Sequence, residues 1–135
     1  DVYKRQGKAT YIGKGIDQEN SYNNMDLTYN VDFNKRIGAG YLTKGDTSSY
    51  FGDKITLNEG RIVKMHPYQD ETGIYSTAKS LNGISGNYSL HFYGTEAQEI
   101  VGSLQMDNMP TTIQPKNKDG KYEYGLAGQR GDITK

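Results

Sequence analysis

The run from Ser85 to Met106, SGNYSLHFYGTEAQEIVGSLQM, constrains this chain more than any other stretch. Gly86, Tyr88, Leu90 and Phe92 alternate with Ser85, Asn87, Ser89 and His91. Further on, Ile100, Gly102, Leu104 and Met106 alternate with Val101, Ser103 and Gln105. A period of two turns one set of side chains toward a core and the other toward water, so the run predicts two half-buried strands. The link between them, Gly94 to Gln98, is too short for a helix of its own. Thr95 is placed to cap a single helical turn, with Gln98 in the capping-box position.

The same alternation recurs along the chain. Lys8–Ile16 (KATYIGKGI) predicts a first strand, and Asp17–Asn24 (DQENSYNN) a polar loop. Asp26–Phe33 is the clearest strand, with Leu27, Tyr29, Val31 and Phe33 on one face and Asp26, Thr28, Asn30 and Asp32 on the other. Asn34-Lys35 predicts a tight hairpin with Asn34 tolerating positive φ, and Arg36–Thr43 returns as a strand bent at Gly38 and Gly40. Lys54–Met65 is open between two readings. Asn58-Glu59-Gly60 closes a hairpin with Gly60 at positive φ, or it forms a bulge within one long strand. Pro67 stops ladder pairing in the segment that follows. Gly73–Lys79 is a weak strand, Asn82-Gly83 a turn, Asp107–Gly120 a long polar loop, and Tyr122–Arg130 a closing strand.

Composition agrees with this pattern. The 135 residues suffice for one domain. The 12 Tyr and 17 Gly supply strand formers and bend points. Eight or nine short strands with no amphipathic helix predict an all-β fold, either a sandwich or a barrel, and the repeated strand glycines favour a single antiparallel up-and-down β-barrel of about eight strands. With 16 basic and 16 acidic residues the net charge is zero, which argues against nucleic acid as a partner. The absence of Cys excludes disulfides, thiolate metal sites and a Cys nucleophile. No apolar run approaches the length of a membrane helix.

The chain starts without Met and without a signal peptide, so it is expected to be a fragment or a mature domain. Its first six residues, DVYKRQ, resemble the translation of a transposon end used in sequencing-library adaptors. Asp1–Gln6 is therefore expected to be an assembly artefact, with residues 7–135 forming the domain. Without Asp1, Lys4 and Arg5 the chain keeps 14 basic and 15 acidic residues, so the charge argument stands.

Four segments in order carry a family resemblance: TYIGKG, LTYNVDFNKRIGAGYLT, GNYSLHFYGTEAQEIVGSL and YGLAGQR. Together they resemble the β-barrel domain of transferrin-binding-protein-B-like bacterial surface lipoproteins. Thr95 stands where that family usually has Pro, Gln98 where it often has Glu, and Val101 where it has one glycine of a pair. The resemblance implies a lipoprotein on the surface of a Gram-negative outer membrane, touching the membrane only through a lipid anchor outside this fragment. It also implies a partner, a host iron or haem carrier such as transferrin or haemoglobin, with a TonB-dependent outer-membrane receptor beside it. The alternatives are a structural supporting lobe, an adhesin, or a module that binds complement factor H. Fold alone does not choose among these.

No G-x-S-x-G, phosphate loop or acid–His–nucleophile set occurs, which points to a non-catalytic protein without a cofactor. The two histidines, His66 and His91, make no metal signature. Asp32 is expected as a solvent-facing or hairpin-anchoring carboxylate. The candidate partner-binding residues are those of the loops: Tyr22, Tyr50, Phe51, His66 and Tyr68. The competing reading folds these aromatics back over the barrel ends. A lipocalin-like carrier would need an empty interior, which the inward Leu, Ile, Tyr, Phe and Met residues are expected to fill.

Overall fold

Alternation decides which segments pair, and in the computed structural model it closes the chain on itself. The structure describes residues 6–17, 24–44, 54–64, 72–81, 83–107 and 122–133. They form eight strands: β1 (Lys8–Asp17), β2 (Met25–Asp32), β3 (Ile37–Thr43), β4 (Lys54–Lys64), β5 (Thr72–Ser80), β6 (Ser85–Tyr93), β7 (Glu99–Met106) and β8 (Tyr122–Arg130). Each pairs antiparallel with the next, and β8 pairs with β1, giving a closed up-and-down barrel. Closure leaves no edge strand with unpaired backbone groups.

The inward set is the one the alternation predicts. Leu27, Tyr29, Val31 and Phe33 from β2 and its turn meet Tyr88, Leu90 and Phe92 from β6, with Ile100, Leu104 and Met106 from β7. Aromatic pairs meet edge-on or tilted: Tyr11 with Phe92 at 6.0 Å, Tyr29 with Tyr88 at 5.9 Å, and Phe33 with Phe92 at 6.0 Å between ring centroids. Charged side chains such as Lys14 and Asp26 stand on the outer face, where they form an ion pair. Apolar-in and charged-out is the reverse of a barrel that crosses a bilayer with its strands. The interior is filled by side chains, which leaves the lipocalin-like reading without its ligand space.

Space for the large rings comes from glycine. The Tyr29 ring lies where a side chain at Gly38 would stand, with Tyr29 Cε2 only 2.6 Å from the site of such a Cβ. Gly40 faces the same ring. Between these two residues the β3–β4 register also shifts. These are the bend points expected in the third strand.

Several local expectations change. The Lys54–Met65 ambiguity resolves as one long strand with a bulge, its register broken against both neighbours. Gly60 is not at positive φ. It packs inward, where an added Cβ would lie 2.6 Å from Ile74 Cγ2. In the β2–β3 hairpin the left-handed residue is Arg36 (φ 59°), not Asn34. Asn34 instead accepts the Gly7 N–H through Oδ1 at 3.0 Å, and Asp32 Oδ1 accepts Lys35 N–H at 3.1 Å, the hairpin-anchoring role expected of it. Asp17 and Thr72, expected in loops, close β1 and open β5.

The Gly94–Gln98 corner holds no helical turn. Ala97 N–H bonds to Gly94 O at 3.1 Å, and both residues take positive φ (92° and 55°). Gln98 Oε1 accepts the Glu96 N–H at 2.9 Å, so Gln98 folds within the turn instead of closing a capping box on Thr95. Tyr11 Oη donates to Ala97 O at 2.6 Å, and Arg130 Nε donates to Glu96 O at 3.0 Å. The corner is thus tied to β1 and β8, on both sides of the seam that closes the barrel.

Candidate functional site

An antiparallel meander delivers its connections alternately to two ends. The chain enters β1 and leaves β8 at one end, the terminal end, which also carries the Phe33–Arg36 hairpin and the Gly94–Gln98 corner. The opposite end, the loop end, receives the strand ends that flank segments 18–24, 44–53, 81–84 and 107–121. Loops held on rigid strand ends are where binding residues concentrate.

All five candidate partner residues, Tyr22, Tyr50, Phe51, His66 and Tyr68, lie outside the described residues. Their flanking strands still separate them. Those around Tyr22, Tyr50 and Phe51 end at the loop end, whereas β4 and β5, around His66 and Tyr68, end there at the terminal end. The flanking strand ends thus divide between the two opposite ends.

The described part of the loop end is firmly held. Ser80 N–H bonds to Ile84 O at 2.8 Å, Ile84 N–H to Ser80 Oγ at 3.0 Å, and Leu81 N–H to Lys54 O at 3.0 Å. This leaves Leu81 67% exposed at the rim. Across the end, Asp17 N–H bonds to Asn24 Oδ1 at 2.8 Å. Backbone fixed in this way loses little entropy when a partner docks on it.

Beneath the rim the interior holds a polar chain. Tyr88 Oη donates to Asn58 O at 2.6 Å, and because a phenol has one proton, Tyr29 Oη must donate to Tyr88 across their 2.8 Å contact. Asn58 belongs to the β4 bulge, whose register breaks leave carbonyls outside the ladder. Burial pushes the Tyr88 phenol up to about 12, against the lowering effect of the bond it receives from Tyr29. Burial and then Tyr88 push Tyr29 higher still. Both are neutral near pH 7 and support the wall; neither is placed to attack a substrate.

His91 stands on the polar face of β6, as the alternation implies, half-buried and beside Tyr93 with ring centroids 6.4 Å apart. Its Nδ1 is buried without a hydrogen-bond partner. Among the described residues no group of three or more His, Cys, Asp or Glu side chains could hold a metal ion. No helix among them is long and apolar enough to cross a membrane.

Sequence reasoning missed the outer face. Ile12 and Ile16 of β1 point outward at 59% and 44% exposure, and Tyr75 of β5, Tyr93 of β6 and Val101 of β7 are also exposed. The signal was present: Ile12 and Ile16 occupy the phase opposite to Tyr11, Gly13 and Gly15. A hollow of about 510 Å³ lies over β1–β3 between Glu59 of the bulge and Asp132 beyond β8.

A packed antiparallel barrel with clamped turns and long connections at one end is a binding scaffold in form. Residues 2–104 match the family model described as factor H binding protein, C-terminal. The chain belongs to that family. The match carries a related barrel family, and the narrower assignment to transferrin-binding protein B is not part of it.

Proposed function

We propose that this chain is a non-catalytic binding module that holds host complement factor H at a bacterial surface. The family match over residues 2–104 carries the reading. A barrel whose interior is packed with buried side chains, and with ordered strand ends flanking its longer connections, supports it. In this reading a lipid anchor in the full-length protein tethers the barrel to the outer membrane. Tyr22, Tyr50 and Phe51 meet the partner at the loop end, and their rings bury apolar area at low entropic cost.

The test is a surface-binding measurement with purified factor H over the immobilised chain. Retention is expected, and the double substitution Tyr50→Ala/Phe51→Ala should weaken it at least about tenfold, or ~1.4 kcal/mol, while leaving the circular dichroism of the barrel unchanged. Full retention by that variant would retire the loop-end site. His66→Ala/Tyr68→Ala, whose flanking strands end at the other side, should change little. A host iron or haem carrier is the second reading, the one implied by the resemblance of four segments to transferrin-binding-protein-B-like barrels. Running transferrin and haemoglobin over the same surface measures it. Retention of none of the three by a folded barrel would turn the reading toward a supporting lobe.

A further inference from the structure

Every ladder of the barrel but one joins strands that are consecutive in the chain. The exception is the seam, where β1 and β8 lie side by side with no turn between them. Closing it brings together residues from the two ends of the chain, the costliest contact in chain entropy. The Gly131 N–H bond to Thr10 O, at 3.1 Å, fixes the phase of this ladder. From it, the hydrogen-bonded pairs of the seam are Ile12 with Gln129, Lys14 with Ala127 and Ile16 with Gly125. Between them Gly13 stands opposite Gly128, and neither has a side chain to pack across the strands.

The Gly94–Gln98 corner supplies what the missing turn would. Tyr11 reaches it from β1, with Oη donating to Ala97 O at 2.6 Å and its ring meeting Phe92 edge-on. Arg130 reaches it from β8 twice, through its N–H to Gln98 O at 2.9 Å and through Nε to Glu96 O at 3.0 Å. Three consecutive carbonyls of one short turn therefore hold both sides of the seam. Their directions are set by Ala97, which is buried and held at a φ of 55°. A side chain rarely takes that conformation, and it persists where the surrounding contacts enforce it.

We propose that this corner is a strap that controls opening of the barrel at the β1–β8 seam. When Tyr11 and Arg130 leave it, β1 and β8 part while β2 to β7 stay paired, and each of the two presents a free edge. With the strap in place those edges are covered. This opening is independent of factor H and of the loop end.

Hydrogen exchange read amide by amide on the full 135-residue chain, in urea well below the unfolding midpoint, tests it. Relative to their intrinsic rates, the Lys14 and Ala127 amides are expected to exchange at least about tenfold faster than that of Leu90, which lies opposite Ile74 in the β5–β6 ladder, and with a shallower dependence on urea. Tyr11→Phe keeps the ring, removes the bond to the corner, and should speed Lys14 and Ala127 about fivefold. The chain has no cysteine, so an oxidised Ile12→Cys/Gln129→Cys pair bolts the seam alone and should slow both amides to the Leu90 level. If Lys14 and Ala127 exchange no faster than Leu90 in the parent chain, the seam opens only with the whole barrel and the proposal is overturned. Fast exchange that Tyr11→Phe leaves unchanged would overturn it too, because the seam would then open without releasing the strap.

Discussion

Tyr29 shows how one residue can shape its neighbourhood. Its ring occupies the space that Gly38 and Gly40 leave on β3, and its hydroxyl meets Tyr88 on β6. Because burial raises both phenols above their unfolded value, the folded state keeps these protons after the unfolded chain has lost them. The stability they support is fully present below about pH 10. It is lost as pH rises toward and beyond the Tyr88 value of about 12. Urea unfolding at stepped alkaline pH should therefore show stability falling from about pH 10 upward. Tyr29→Phe should make that fall shallower by about 1.4 kcal/mol per pH unit, since one group no longer titrates. An unchanged slope would mean that Tyr29 ionises as freely folded as unfolded.

Among the elements, β4 carries the most information. Its bulge leaves Asn58 O outside the ladder, and Tyr88 reaches across the interior to satisfy it. Tyr88→Phe keeps the ring but strands that carbonyl and the Tyr29 hydroxyl. A loss of about 2 kcal/mol in denaturant unfolding is expected, the scale for an abandoned buried polar group. Tyr29→Phe made in that background should then cost little, a coupling that a double-mutant cycle reads directly.

The element scale also shows where sequence reading succeeds and stops. Period-two alternation located β2, β6 and β7 nearly to the residue, because each has one buried face and the pattern is written in side-chain polarity. It left β4 open because Asn58-Glu59-Gly60 has turn composition, and only pairing with β3 and β5 keeps those residues extended. It placed the hairpin's left-handed residue at Asn34 when Arg36 takes it, since Asn34 and Asp32 spend their side chains on the Gly7 and Lys35 amides. The corner escaped for a similar reason. Its geometry is set by Tyr11 and Arg130, remote in sequence from Gly94–Gln98.

For the molecule as a whole, inward alternation and glycine content together made the barrel legible, while its two-ended arrangement was not. Chain order alone does not reveal that His66 and Tyr50 belong to segments flanked at opposite ends; that follows from counting strands once their number is known. The outer apolar residues lay similarly hidden, because Ile12 joins Val101 and Ala127, already paired across β7 and β8, only when β8 closes on β1.

That closure makes the strand order a ring, and a ring has no first member. Tyr11 faces Arg130 across the seam, and Gly131 N–H bonds to Thr10 O at 3.1 Å, so both chain ends leave side by side. A gene rewritten to begin at Gly83, with a short glycine-serine link from Ile133 to Gly7 and Leu81 as its last residue, should fold to the same belt with a far-ultraviolet spectrum like that of the parent. Where translation starts is then a matter of genetic history, separate from the architecture that the ladder enforces.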